Sequence, residues 1–212
     1  MMVVKARQVY KFAKEAWFPE LKPSGFAEKN GEYHRILDSG VVHLIGIGKD
    51  PHGGETFRVM CGVDALPLKE ELGGFGYMKY DGFMHLTPSG WDLNSGRWPC
   101  KTEAETRASV EVLLPLICEL AIPYFAPIAT LSDVANEINE KRMPHLLWLK
   151  ARLLMLDRNI PGALNTIEKY QEFVTTPRPW MSKKHVQGEI DRAEQIRAEI
   201  EGVAQVMSES KR

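Results

Sequence analysis

Three features of the chain predict an α+β fold: short β-branched and aromatic runs between Glu32 and Val63, a helical period before them, and a succession of helical periods after Thr102. The expected architecture is an antiparallel sheet of three to five strands packed on helices, followed by an α-helical C-terminal region. The expected domains are residues 1–141 for the α+β part and 142–212 for a helical extension packed on it.

From Val3 to Trp17 the apolar residues Val4, Val9, Phe12, Ala13, Ala16 and Trp17 recur near helical spacing, with Lys5, Arg7, Lys11 and Lys14 between them. Pro19 and the Pro23-Ser24-Gly25 turn are expected to end that helix. Glu32–Leu37, Val41–Gly48 and Thr56–Val63 then read as consecutive antiparallel strands. The Asp38-Ser39-Gly40 connection suits a three-residue hairpin that pairs Leu37 with Val41 and Arg35 with His43. In the third strand Phe57, Val59, Cys61 and Val63 alternate with Thr56, Arg58, Met60 and Gly62, which gives one apolar face for helices to cover. The glycine- and aromatic-rich stretch from Leu66 to Cys100 offers one more strand, over Tyr77–Leu86.

Thr102-x-x-Glu105 has the form of a capping box and opens a helix carrying Val110, Leu113, Leu114 and Ile117, which Pro115 should bend or break. Thr130-x-x-Asp133 opens a second, short helix through about Lys141. His145–Arg158 and Pro161–Phe173 form an antiparallel helical hairpin, with Leu146, Leu149, Leu153 and Leu156 facing Ala163, Leu164, Ile167 and Tyr170. After Pro177 and Pro179, Ser182 caps a long last helix whose stripe of Val186, Ile190, Ala193, Ile196, Ile200, Val203 and Met207 keeps no strict heptad. That spacing predicts a helix docked on its own hairpin and a monomeric chain, with a homodimer through the last helix as the competing arrangement.

Composition narrows the function classes. The 27 basic and 28 acidic residues leave a formal net charge of −1, so no whole-chain field draws the protein to nucleic acid or to an anionic bilayer, and neither is expected as a partner. Cys61, Cys100 and Cys118 are odd in number and form no Cys-x-x-Cys pair, which points away from a disulfide framework or a zinc knuckle. The N-terminal residues hold no apolar run of signal-peptide length, and the stretch Val110–Pro127 is interrupted by Pro115, Glu119 and Pro123, so a cytoplasmic protein without a membrane span is expected.

No motif defines a reaction. His34, His43, His52 and His85 all fall in the sheet region, but no pair has metal-ligand spacing, so no metal and no cofactor is expected. If the protein is an enzyme, the residues to converge are His43, His52, Glu55 and Arg58, with Asp50 or Glu55 as the acidic partner in the Lys49–Glu55 loop. The same loop composition also serves any long hairpin connection. Cys100 lies just ahead of the Thr102 cap beside Lys101, where a helix dipole can activate a thiol, yet no histidine partner stands near it. Trp91, Arg97 and Trp98 in a polar loop are the candidate interface, while Trp148 between two leucines reads as core.

Leu21-Lys22-Pro23-Ser24-Gly25-Phe26, the segment Tyr33–Val63, Arg97-Trp98 and Ala121-Ile122-Pro123-Tyr124-Phe125 leading into Leu131-Ser132-Asp133 resemble an uncharacterised bacterial family, a domain of unknown function, over about residues 5–140. The resemblance implies a small bacterial α+β domain and transfers no catalytic residues. The hairpin from His145 to Phe173 is similar to a single tetratricopeptide unit, with Asn159 where that family turns on glycine and no second copy in the chain. The expected function is a non-catalytic protein-interaction module. A small hydrolase-like enzyme built on the sheet histidines is the second reading.

Overall fold

The computed structural model describes residues 4–49, 55–68, 84–87, 90–92, 97–177 and 181–210. The chain divides between Ala129 and Thr130 into two compact units.

The first unit opens with α1, Ala6–Leu21, which buries Val9, Phe12, Ala13, Trp17 and Leu21. The helix runs through Pro19 instead of stopping before it. The proline leaves only the carbonyl of Glu15 without its helical donor, and Glu15 is exposed, so solvent can serve it. A 3-10 turn, Lys22–Ser24, and Gly25 at φ +85° end the helix.

The sheet is antiparallel throughout and contains β1 (Ala27–Lys29), β2 (Glu32–Ile36), β3 (Val41–Lys49), β4 (Thr56–Ala65), β5 (Met84–Thr87), β6 (Gly90–Asp92) and β7 (Trp98–Pro99). The order is β1-β2-β3-β4-β5-β6, with β7 also paired to β4. Of the expected strand over Tyr77–Leu86, only the end is described, as part of β5. Asn30 and Gly31 turn the chain from β1 into β2 with φ of 55° and 81°, the left-handed pair that a two-residue hairpin requires. Gly31 is also forced by packing, because a Cβ there would lie 2.5 Å from Cδ1 of Tyr10 on α1.

The β2–β3 hairpin has the expected register, with Arg35 opposite His43, the Leu37 N–H donating to the Val41 carbonyl at 2.9 Å, and Gly40 at φ +83°. One face of the sheet carries Tyr33, Ile45, Phe57, Val59 and Cys61, all fully buried. Val42 and Leu44 on the opposite face are buried as well, with Met60 and Leu66 against them, so the central strand β3 is covered on both sides.

Thr102 caps α2, Glu103–Leu116, accepting from the Glu105 N–H at 3.2 Å while the Glu105 carboxylate accepts from the Thr102 N–H. Pro115 does not break the run. The helix passes through it into a π turn, Ile117–Ala121, and on into α3, Ile122–Phe125. Both Pro115 and Glu111, whose carbonyl loses its donor, lie on the solvent side. The wider turn after Pro115 keeps Val110, Leu113, Ile117, Ala121 and Phe125 buried, and the Trp17 indole N–H donates to the Val110 carbonyl at 2.8 Å.

The second unit is all helical: α4 (Leu131–Glu137), a 3-10 turn (Pro144–Leu146), α5 (Leu147–Leu156), α6 (Ile160–Thr175) and α7 (Lys183–Glu209). It begins ahead of the expected 141/142 boundary, because α4 buries Leu131, Val134 and Ala135 and its Ser132 N–H donates to Asp157 at the end of α5. Leu146, Leu149 and Leu153 face the hairpin interior as expected, whereas Leu156, at the last position of α5, is 41% exposed. Trp148 is core. The last helix docks on its own hairpin through Ala193, Ile196 and Ile200.

The α5–α6 turn is a Schellman closure, with the Arg158 N–H on the Met155 carbonyl and the Asn159 N–H on the Leu154 carbonyl. Arg158 takes the left-handed position at φ +60°, where glycine is the usual occupant. Asn159 then caps α6 by accepting from the Gly162 N–H at 3.1 Å.

Candidate functional site

Of the sheet histidines whose side chains are described, His43 is the one placed in a dense polar arrangement. The hairpin register sets Arg35 directly across from it, on the face toward the helices. Nε and Nη2 of Arg35 lie 3.1 and 2.9 Å from Nδ1 of His43, and Nε2 of His43 lies 2.7 Å from the Ile128 carbonyl. The guanidinium can only donate and the carbonyl can only accept, so the neutral ring carries its proton on Nε2. The imidazole is buried and stacks on the Phe125 ring at 4.8 Å between centroids. Arg35 covers the Phe26 ring at 5.1 Å and donates through Nη1 to the Ser24 carbonyl. Burial lowers the His43 pKa below its usual value and the Arg35 charge adds to that, against the opposing pull of the Ile128 carbonyl.

Every ring nitrogen of His43 is therefore occupied by the protein itself. A general base needs a free lone pair in reach of a substrate, and a general acid needs a proton it can hand over. His43 offers neither without breaking a buried hydrogen bond.

The other candidate catalytic residues do not join it. Arg58 sits opposite Gly48 on β4, five positions along β3 from His43, which is about 17 Å of strand. Its side chain belongs to the other face of the sheet, and its Nε is buried without a hydrogen-bond partner among the described residues. Glu55 is exposed and pairs with Lys101 at 3.4 Å. Asp50 and His52 lie outside the described residues, and so do the side chains of His85 and Trp91, whose backbones lie in β5 and β6. Cys100 is fully buried, its N–H bonded to the Glu55 carbonyl, so the thiol is not presented for chemistry. Among the described residues no three His, Cys, Asp or Glu side chains gather as a metal-binding group.

The candidate interface also divides. Arg97 is exposed, but Trp98 is only 4% exposed, because β7 places it opposite Phe57 at the edge of β4. A tryptophan beside an arginine resembles an anchor in sequence; here the strand pairing turns it into core.

A surface that the residue pattern did not single out lies on the helix from Glu103 to Phe125. Among the described residues this is the one helix long and apolar enough to cross a membrane, yet only 33% of its most apolar stretch is buried within the protein. Ala108, Val112, Pro115 and Leu116 fall on one side of α2, away from the buried Val110 and Leu113. Val112 is 55% exposed. Exposed Glu105 and Glu119 stand at the two ends of this stripe, with exposed Glu111 beside it. The interruptions by Pro115 and Glu119 hid the feature in the sequence, since both suggest a break where the backbone continues.

Comparison with protein-family models, with curated proteins and with solved structures returns no match.

Proposed function

We propose that the protein is a non-catalytic interaction module that binds another protein through the open side of the Glu103–Phe125 helix. The observation that carries this reading is the apolar stripe of Ala108, Val112 and Pro115 left facing solvent, with half-buried Leu116 at its edge. The acidic rim of Glu105, Glu111 and Glu119 gives the partner its chemistry: apolar side chains flanked by lysine or arginine. Buried interface cores exclude charge while rims tolerate it, which is the arrangement on this helix. A bilayer is the competing occupant, and three carboxylates around the stripe oppose insertion against anionic lipid. The engagement of both ring nitrogens of His43 weighs against the hydrolase-like alternative. The likeness of the helical hairpin to a single tetratricopeptide unit is in keeping with a binding role, and the setting proposed is the cytoplasm.

A photo-crosslinking residue at position 108, in the full chain expressed in its native cells, tests the proposal. The expected result is one discrete protein adduct, weakened by high salt and lost in Val112→Glu, while the variant keeps the wild-type melting temperature. Adducts to lipid, or no adduct above that of a crosslinker placed at exposed Gln205, would overturn it.

A further inference from the structure

The second unit holds a groove of about 800 Å3 beside the far end of α7, with Met155, Val203, Val206 and Met207 as its apolar lining. It exists because the last helix outruns its partners. At 1.5 Å per residue α7 is about 40 Å long, against about 24 Å for α6 and about 15 Å for α5. Ile200 is the last fully buried residue of α7; beyond it Val203 and Met207 are half covered and Val206 is 63% exposed.

Two residues of this groove break local rules in opposite directions. Gly202 stands inside a helix, where a side chain would favour the helical state, and a Cβ built there meets nothing within 4 Å. Arg158 stands at the left-handed turn position, where glycine would be unstrained. Nothing among the described residues repays either choice: the space over Gly202 is open, and Arg158 makes no ion pair there. An unpaired cation kept at a left-handed position, beside a helical glycine that leaves the floor of the groove open, is a feature of a surface that meets something else.

We propose that this something is a second copy of the chain, docked about a two-fold axis so that the projecting end of one α7 fills the groove of the other. The groove carries its own complement, as an isologous interface must. It has protruding Val206 with half-covered Met207 beside it, a glycine floor to receive them, the cation of Arg158 and the carboxylate of Glu199. Glu199 is held by Arg152 through Oε2 and by Gln195 through Oε1, each at 3.0 Å, which orients it at the rim. Around the axis each Arg158 meets the partner's Glu199, giving two reciprocal pairs. The surface is separate from the Glu103–Phe125 stripe, so the inference does not depend on that reading.

Sedimentation velocity on the full chain across a wide concentration range is the test. Wild type should pass from monomer to dimer, and Val206→Glu should stay monomeric at every concentration with an unchanged melting profile when dilute. Arg158→Glu and Glu199→Arg should each be monomeric alone, yet form a one-to-one heterodimer when mixed, because opposite charges then face each other at both pairs. The helical circular-dichroism signal of each variant establishes that it is folded. A wild type that remains monomeric throughout, including one whose groove is reserved for a different protein, overturns the proposal. A dimer that survives Val206→Glu, or a mixture of the charge variants that fails to associate, does the same.

Discussion

Arg35 holds His43 in one tautomer: its Nε and Nη2 both reach Nδ1, and the proton this leaves on Nε2 goes to the Ile128 carbonyl. The pair has a pH signature. Burial holds the folded-state pKa of His43 below the ordinary histidine value, so above about pH 6.5 the folded and unfolded states are both neutral there and the full stability is present. As pH falls below the unfolded value, the unfolded chain binds a proton that the folded one refuses, and stability declines until the folded pKa is reached. Melting temperatures between pH 8 and pH 5 should therefore fall toward acid, and His43→Gln should flatten that part of the curve. Equal slopes for the two proteins would show that His43 is not the group responsible.

Removing Arg35 leaves a buried imidazole acceptor without a donor. Arg35→Met should cost about 1–3 kcal/mol in a denaturant titration. Lysine should not rescue it, since one ammonium cannot reproduce a guanidinium that binds Nδ1 and the Ser24 carbonyl together. In a double-mutant cycle with His43→Phe the losses should fall short of additive, and strict additivity would contradict a direct coupling.

The two leucines of α5 separate by burial. Leu153→Ala should destabilise the protein by about 2–5 kcal/mol, because its side chain is fully enclosed in the hairpin. Leu156→Ala, at an exposed position, should stay within about 0.5 kcal/mol. Similar losses for both would mean that the α5 interior face is assigned incorrectly.

Glycine replacements should run in opposite senses. Gly31→Ala meets both a left-handed backbone and the Tyr10 ring, so a lower melting temperature is expected. Gly202→Ala enters open space in a helix and should stabilise the isolated protomer by up to about 1 kcal/mol. Thermal scans at low protein concentration decide both signs.

Thiol accessibility gives a further contrast. Cys61 and Cys100 are buried and Cys118 is exposed, so a disulfide reagent should label one thiol of the native protein and three after unfolding. The reaction at Cys118 should be slow at neutral pH, because partial burial and the nearby Glu20 and Glu119 raise its pKa. Two fast thiols in the native state would contradict the placement of Cys100.

The chain announced the β2–β3 register and its helix caps because those depend on a few adjacent residues. Asp38-Ser39-Gly40 set Arg35 opposite His43, and Thr102, Thr130 and Ser182 each cap the helix expected of them. What stayed hidden depends on distant partners. Strand β1, Ala27-Glu28-Lys29, has no β-branched residue and exists because Asn30-Gly31 folds it onto β2. Trp98 reads as an anchor until β7 finds Phe57. His43 could be named as a candidate, but nothing near it in sequence indicates that Ile128 takes its second nitrogen. The groove at Arg158 and Gly202 was equally unreadable, since each residue is ordinary until the turn and the helix bring them to one place.

The bond between His43 and Ile128 spans 85 positions of chain. It joins the second strand of the hairpin to a residue close to where the units divide, and with the 93 positions between Trp17 and Val110 it closes one of the long loops of the first unit. The second unit is made of helices that meet their sequence neighbours, and contacts of that kind form with little loop-closure entropy. The expected order of folding is that the helical unit gains its structure early, and the sheet unit is complete only after long-range contacts such as Trp17 to Val110 and His43 to Ile128 have closed. Stopped-flow refolding should accordingly resolve two phases, with substitutions at His43 acting on the slower.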